Sequence, residues 1–400
     1  MMQVKKKKLR HHSLTGRITL EIMHKAYKNV KRNRGAAGID KVSIGMYEKN
    51  LEQNLESLMR KMKIDTYQSK PLRRKLIPKG NGKFRPLGIP AVKDRVAHEV
   101  IRIIINPIFE KLFHESSHGF RRGRSCITAI EELLEYHKQG YQHVADADIS
   151  GFFDNIPHKL IMGLIEREIS DGKTLSTIRK FLRAGVIEDG KFVPTKSGAP
   201  QGGVISPLMS NIVLNHLDWT LDENGYKFVR YADDFVVLAK SRESAEEALN
   251  LTKRCVEDDL GLELHPEKTR LTTFKQGFEF LGFLISSNSI RMKDKAVKKF
   301  KDKIRALTKR HHNFDIQVIE RINPVIRGIA NYFIQDFTTS IRLFNRLDQW
   351  VRKRLRCMKY KRISRKDNPR IKIKNFRKMG LLLFRDMYQN KIKTGKLLPS

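Results

Sequence analysis

The stretch KFVRYADDFVVLAK (227–240) restricts what this chain can fold into. Phe228 and Val229 on one side and Phe235–Leu238 on the other are mostly aromatic or β-branched, the residues that suit strands. A short polar break joins the two runs, so they read as a tight hairpin with Asp233 and Asp234 near its tip. Aspartate is a common turn residue, and alone the pair has that plain explanation. The apolar flanks change the balance. They bury the hairpin, and two adjacent carboxylates at its end then require compensating positive charge, which divalent cations supply.

HVADADISGFF (143–153) alternates and reads as a further strand. Asp146 and Asp148 lie two residues apart and so share one face of it. Holding a pair of metal ions about 3.5–4 Å apart takes a third carboxylate, and both residues are candidates; Asp154 reads as structural. Such a metal pair suits in-line displacement at phosphorus: one ion activates an attacking 3′-hydroxyl and the other neutralises a leaving pyrophosphate. The implied substrate is a nucleoside triphosphate and the product a growing nucleic acid.

The charge balance points the same way. Lys and Arg number 80 against 43 Asp and Glu, a formal net charge of +37. A surface so basic repels itself unless it meets a polyanion such as nucleic acid or an acidic membrane. No apolar run is long enough to span a bilayer. The N-terminus MMQVKKKKLRHHS is basic but lacks the apolar stretch of a signal peptide, and reads as a solvated tail or a direct nucleic-acid contact. Cys126, Cys255 and Cys357 are far apart, which argues against a disulfide framework or a cysteine zinc site and fits a reducing, cytoplasmic compartment.

Apolar spacing at Leu20, Met23, Tyr27 and Val30 predicts a helix over 17–33, and at Leu51, Leu55, Leu58 and Met62 one over 47–63. RRKLIPKGNGKFRPLGIP (73–90) predicts a hairpin around Gly80-Asn81-Gly82. Helices are expected over 93–112 and, behind Ser125 as N-cap, over 125–139. Residues 243–260 read as a helix, followed by short strands at 262–265, 269–274 and 278–285. From about 291 strand signals give way to basic helices at roughly 294–311, 316–334 and 338–358. Residues 351–400 hold 18 Lys or Arg and only two acids, Asp367 and Asp386. The expectation is an α/β catalytic half followed by a basic helical half.

In order, NRGAAGID, IPKGNGKFRPLGIP, HGFRRGRSC, DADISGFFDNIPH, SGAPQGGVISPLMSNIVLN, RYADD, LGLELHPEKT and FEFLGF resemble the motif blocks of bacterial group II intron reverse transcriptases, from about residue 30 to 285. INPVIRGIANYF (322–333) and LDQWVRKRLRCMKYKR (347–362) resemble the maturase, or thumb, domain of that family. The resemblance implies a right-hand polymerase of α/β (α+β) class. Its expected parts are a basic tail (1–16), an N-terminal extension and fingers with part of the palm (17–142), a palm with a ferredoxin-like, RRM-like sheet (143–290, with a finger insertion at about 160–197), an all-α thumb or maturase domain (291–375) and a basic C-terminal segment (376–400). It implies Asp148, Asp233 and Asp234 as the catalytic, metal-binding triad. Asp148 is preferred to Asp146 because the family's first aspartate stands five residues before the second aromatic of GFF. The cofactor implied is a pair of Mg²⁺ ions, with Mn²⁺ as a substitute.

Other roles are carried over position by position. Phe153 resembles the steric gate whose ring excludes a 2′-hydroxyl. Lys79 and Arg85 lie on the fingertip-like hairpin, where a point charge and a bidentate fork suit a triphosphate. Gln201 resembles the residue lying against the incoming nucleotide, and Gly202 and Gly203 allow close backbone approach to template and base. Lys268 is a candidate general acid for pyrophosphate. Leu281 and Gly282 of FLGF would hold the primer end. Arg121, Arg122 and Arg124 are candidates for template phosphates, and Arg327 and Asn331 for RNA contact. The basic helices would follow a template–primer duplex through its phosphates.

Full-length family members often carry a DNA-binding region and a metal-dependent nuclease after the thumb. No such pattern follows MKYKR here, so no endonuclease is expected. The expected partners are an RNA template, a DNA or RNA primer, dNTPs and a structured intron or other cognate RNA, with no membrane, in a bacterial ribonucleoprotein- or nucleoid-associated setting. The alternatives are a domesticated stand-alone enzyme of phage defence or DNA repair, and an RNA-binding maturase with incidental polymerase activity.

Overall fold

The N-terminal helices form where the apolar spacing requires them. Leu20–Arg32 buries Met23, Ala26, Tyr27 and Val30 behind a Thr19 N-cap, and Leu51–Lys63 buries Leu55, Leu58 and Met62. The computed structural model describes residues 10–80, 83–199 and 202–394. The chain divides into two units, the first ending at Leu271 and the second starting at Thr272. Within the first, the Val92–Phe109 helix is buried on most faces and packs against Leu20–Arg32.

β1 (Leu72–Gly80) and β2 (Lys83–Ile89) form the expected hairpin, with Ile77 opposite Arg85. β3 (His143–Asp148) ends earlier than 153. Beyond it Ile149 makes a single bridge to Leu264, and Gly151, at φ +54°, turns the chain into the short helix Phe152–Asn155. Asn155 Nδ2 donates to the Ser150 carbonyl at 3.0 Å and fixes that turn. β4 (Val186–Glu188) and β5 (Lys191–Val193) extend the first hairpin into a sheet of order β2-β1-β4-β5.

β6 (Lys227–Tyr231), β7 (Asp234–Ala239) and β8 (Arg270–Thr273) join β3 in a second sheet of order β6-β7-β3-β8. The helices Ser206–Glu223 and Arg242–Arg254 precede and follow its central hairpin. The second of these was expected to run unbroken to 260. It continues instead as a π-helical turn, Cys255–Asp259, that keeps Cys255 and Val256 buried. The strand expected at 262–265 reduces to the bridge at Leu264.

In the second unit β9 (Phe278–Phe280), β10 (Phe283–Ser286) and β11 (Ser289–Met292) form an antiparallel sheet. The helices Asp294–Leu307, Ile316–Phe333 and Ile341–Tyr360 follow. The first stops at Leu307 rather than 311 because Thr308 closes it. Thr308 Oγ1 donates to the Ile304 carbonyl at 2.7 Å, and Arg354 Nη2 donates to the Thr308 carbonyl at 2.6 Å. Phe283 stacks on Tyr332 at 5.5 Å between ring centres and packs against Phe333 at 4.9 Å. The Asp348 carboxylate accepts the Phe384 and Arg385 N–H groups, each at 2.9 Å, and so caps the Phe384–Thr394 helix from a neighbouring helix. Among the described residues no helix is long and apolar enough to cross a membrane.

Candidate active site

Antiparallel pairing of β3 with β7 sets Asp148 directly opposite Asp234, and Asp146 opposite Val236. Asp233 occupies the two-residue loop between β6 and β7, where Tyr231 pairs with Asp234. Asp148 and the distant pair Asp233 and Asp234 are thus brought to one sheet end. Like charges directly opposite each other destabilise a strand pair. Two cations answer them from the segment leading into β8. Lys268 Nζ stands 2.5 Å from Asp148 Oδ2, and Arg270 Nε 3.6 Å from Asp146 Oδ2.

Burial pushes the Asp233 carboxyl above its ordinary range; the Asp148 charge adds to this, while Arg85 and Lys268 oppose it. Burial likewise pushes Asp146 up to about 6, against the pull of Arg270. Among the described residues the group with His, Cys, Asp or Glu donors all within 4.8 Å of one another is His216, Cys255 and Asp259. The three aspartates stand side by side, their oxygens not all within that distance of one another. Hard oxygen donors, strained by burial and like charge, with an ammonium against one of them, fit divalent cations.

The turn that carries Asp233 is held from beneath by groups that sequence reasoning missed. Arg230 is fully buried on β6, with a bidentate pair to Asp218: Nε to Oδ1 at 2.7 Å and Nη2 to Oδ2 at 2.5 Å. Its Nη1 donates to Asn211 Oδ1 and to the Ala232 carbonyl, each at 3.0 Å. Asn211 Nδ2 in turn donates to the Gly119 carbonyl at 2.8 Å. Gly119 lies so close that a Cβ there would stand 2.2 Å from Ala232 N, so only glycine fits. Ala232 itself has φ +59°, a conformation that costs an alanine about 1–2 kcal/mol. The buried ion pair and the glycine contact over-determine that conformation.

The remaining candidates fall in several places. Phe153 is half-buried in the short helix after β3; its ring meets Phe152 edge-on at 5.3 Å, and its carbonyl accepts the Ala199 N–H at 2.8 Å. Arg85 is exposed on β2, and its charge acts on both Asp233 and Asp154. Lys79 belongs to β1, but its side chain lies outside the described residues, as does Gln201 altogether. Gly202, at φ +98°, would put a Cβ 2.7 Å from the Gly88 carbonyl of β2, and Gly203 is buried, its carbonyl accepting the Ser206 N–H at 3.3 Å.

Arg121 departs from the expectation of a template contact. It is buried, donates to Glu110 Oε1 at 2.8 Å and to the carbonyls of His114 and Ser117, and so ties its own loop together. Arg124 pairs with Glu115, and Arg122 is exposed. Leu281 and Gly282, both at positive φ, lie in the second unit. There Tyr332 Oη donates to the Leu281 carbonyl at 2.7 Å. Arg327 is half-buried and Asn331 exposed on the Ile316–Phe333 helix of the same unit.

Comparison with known proteins adds an independent line. Residues 77–285 match the family described as reverse transcriptase (RNA-dependent DNA polymerase), and residues 297–379 match the group II intron maturase-specific domain. The group II intron-encoded protein LtrA of Lactococcus lactis subsp. cremoris is 31% identical over 415 aligned residues, covering 78% of this chain and 68% of that protein. Protein YkfC of Escherichia coli K12 is 35% identical over 283 residues, covering 61% of this chain and 74% of that one.

Proposed function

Because this chain belongs to the group II intron-encoded reverse transcriptase and maturase family, an RNA-directed DNA polymerase, we propose that Asp148, Asp233 and Asp234 are its catalytic carboxylates and hold two Mg²⁺ ions. The observation that carries this reading is the register that sets Asp148 opposite Asp234, with Asp233 in the adjoining loop. The family uses divalent metal ions. When bound, they polarise the attacking hydroxyl and neutralise the leaving group.

The chain's own residues do the rest. The reaction joins the primer 3′-oxygen to the α-phosphorus of a dNTP and breaks the bond to pyrophosphate. The hydroxyl proton passes from the attacking oxygen to solvent water, and charge builds on the departing phosphate oxygens. Arg85, exposed and electrostatically coupled to Asp233, faces that charge and orients the triphosphate as a bidentate fork. Lys79 acts beside it as a point charge, and Gln201 lies against the nucleotide. Lys268, whose ammonium stands at Asp148, is the general acid that protonates pyrophosphate in this reading. Gly202 and Gly203 bring backbone close to template, Leu281 and Gly282 support the primer, and Arg122, Arg124, Arg327 and Asn331 contact RNA.

Phe153 is the sugar gate in this reading, five residues beyond Asp148 and backed by Phe152. The test is primer extension by the full chain on poly(rA)/oligo(dT) with Mg²⁺. The parent should incorporate dTTP and discriminate against UTP; absence of dTTP incorporation would overturn the polymerase reading. Phe153→Val should raise UTP incorporation by about 10²-fold, the scale at which shape complementarity separates substrates differing by one small group. Unchanged discrimination would remove Phe153 from the gate. The chain also binds a structured RNA as a maturase. The net charge of +37 and the second unit's basic helices support a contact made largely through phosphates.

A further inference from the structure

The second unit contains a cavity of about 500 Å³ remote in sequence from Asp148, Asp233 and Asp234. Its walls are the Ile341–Tyr360 helix and the segment from Ile363 to Ile373. Arg352, Lys353, Arg356 and Arg365 line it, and none of the lining residues is acidic. The volume lies within the range of about 300–1,000 Å³ usual for small-ligand pockets.

The charges are arranged before any ligand arrives. Arg356 is only 9% exposed, and its Nε and Nη2 donate to the Ile371 carbonyl at 3.1 and 2.8 Å while its guanidinium stacks over Phe376 at 5.3 Å. That fixes one wall. Arg352 is 8% exposed, yet among the described residues it makes no hydrogen bond, and its burial disfavours its charge. The carboxylate that acts on it, Asp348, already accepts two backbone N–H groups. Lys353 and Arg365 are exposed and make no side-chain hydrogen bond among the described residues. A guanidinium with no hydrogen-bond partner among the described residues, flanked by two exposed cations, suits an anion supplied from outside.

Two isoleucines also line it, beside Gln349, Ser364 and Asn368. Ile363 is 57% exposed and Ile373 39% exposed. Two uncovered isoleucines beside four cations match a ligand that is anionic on one side and flat and apolar on the other. A nucleotide has both faces, but inside a duplex its base face is hidden by stacking.

We propose that this cavity is a subsite for one unpaired nucleotide of a structured RNA, with the phosphate on Arg352, Lys353 and Arg365 and the base against Ile363 and Ile373. The inference rests on the RNA-binding reading above and names where a non-duplex feature is received. It is separate from template–primer tracking, which requires only continuous duplex backbone. The preference is for unpaired structure, which leaves the base free to leave the stack and enter the cavity.

The test uses the full chain and two RNA hairpins that differ only by a single bulged uridine. The parent should bind the bulged hairpin more tightly by about fivefold, the lower end of what one held base contributes. Lys353→Ala/Arg365→Ala should abolish that preference and lower the salt slope for the bulged hairpin by about 1.5–2, as loss of two phosphate contacts requires. Ile363→Ser should weaken the bulged hairpin alone. Equal binding of the two hairpins by the parent, or an equal loss on both in the double variant, would overturn the subsite and leave a diffuse basic surface. Extension of poly(rA)/oligo(dT) is measured on the parent preparation alongside. Its failure in the parent would count against the polymerase reading, whereas extension without bulge preference counts only against the subsite.

Discussion

Asp233→Ala should reduce primer extension by about 10³-fold, the scale for removing one preorganised group directed at transition-state charge, while RNA affinity stays within about twofold because it is spread over many phosphates. The physical reason lies in the turn. Asp233 is held there by a left-handed Ala232 and cannot be replaced by a neighbour shifting along the strand, since a one-residue slip would send every β7 side chain to the opposite face. The measurements are single-turnover extension and filter binding on the same template–primer. Extension at the parental rate would remove Asp233 from the site. Loss of extension together with loss of RNA binding would point to unfolding instead, which Asp233→Asn, nearly isosteric, would distinguish by retaining binding and still losing extension.

The buried pair beneath that turn should give the largest stability effect in the first unit. Arg230→Met leaves Asp218 charged and unpaired at 0% exposure, and Asp218→Leu does the same to Arg230; either single change should cost about 3–5 kcal/mol. The double variant Arg230→Met/Asp218→Leu should recover most of that loss, because an apolar pair of similar volume replaces a buried ion pair at little net cost. Activity should not recover with it. The double variant still lacks the Nη1 donor to the Ala232 carbonyl, so the loop carrying Asp233 is no longer fixed. Urea denaturation and extension kinetics on the three variants separate the two roles. Recovery of both stability and kcat would mean that the pair only fills space. Recovery of stability alone would make Arg230 a positioning residue.

Why Asp233 and Asp234 were legible, and Arg230 was not, is a matter of range. The carboxylates interrupt an apolar, β-branched and aromatic run, a local signal that needs no knowledge of the partner strand. Asp148 was legible as one of two same-face candidates. The choice between Asp146 and Asp148 needed the family resemblance; the register that sets Asp148 opposite Asp234 depends on a partner strand far along the chain and is not written locally. Arg230 sits in a chain with 80 Lys and Arg, where one more arginine reads as surface, and its partner Asp218 lies on the far side of a turn. Nothing local marks such a pair.

Arg121 failed for the related reason that a basic loop residue with a buried role looks the same in sequence as one facing solvent. The Ser206–Glu223 helix was not resolved either. Leu208, Met209, Ile212, Val213, Leu214, Leu217 and Leu221 are all buried, so the helical period is blurred by apolar residues on most faces. The basic helices of the second unit were easier, because each keeps a narrow apolar stripe against a charged background.

The central claim is that Asp148, Asp233 and Asp234 jointly hold a pair of divalent ions. Electron paramagnetic resonance of the full chain with Mn²⁺, a template–primer ending in a 3′-deoxy residue and the next dNTP tests it most directly. The account predicts the signature of two exchange-coupled Mn²⁺ ions in the parent and its loss in Asp148→Asn. Isolated Mn²⁺ alone in the parent, or a coupled pair that persists in Asp148→Asn, would contradict it.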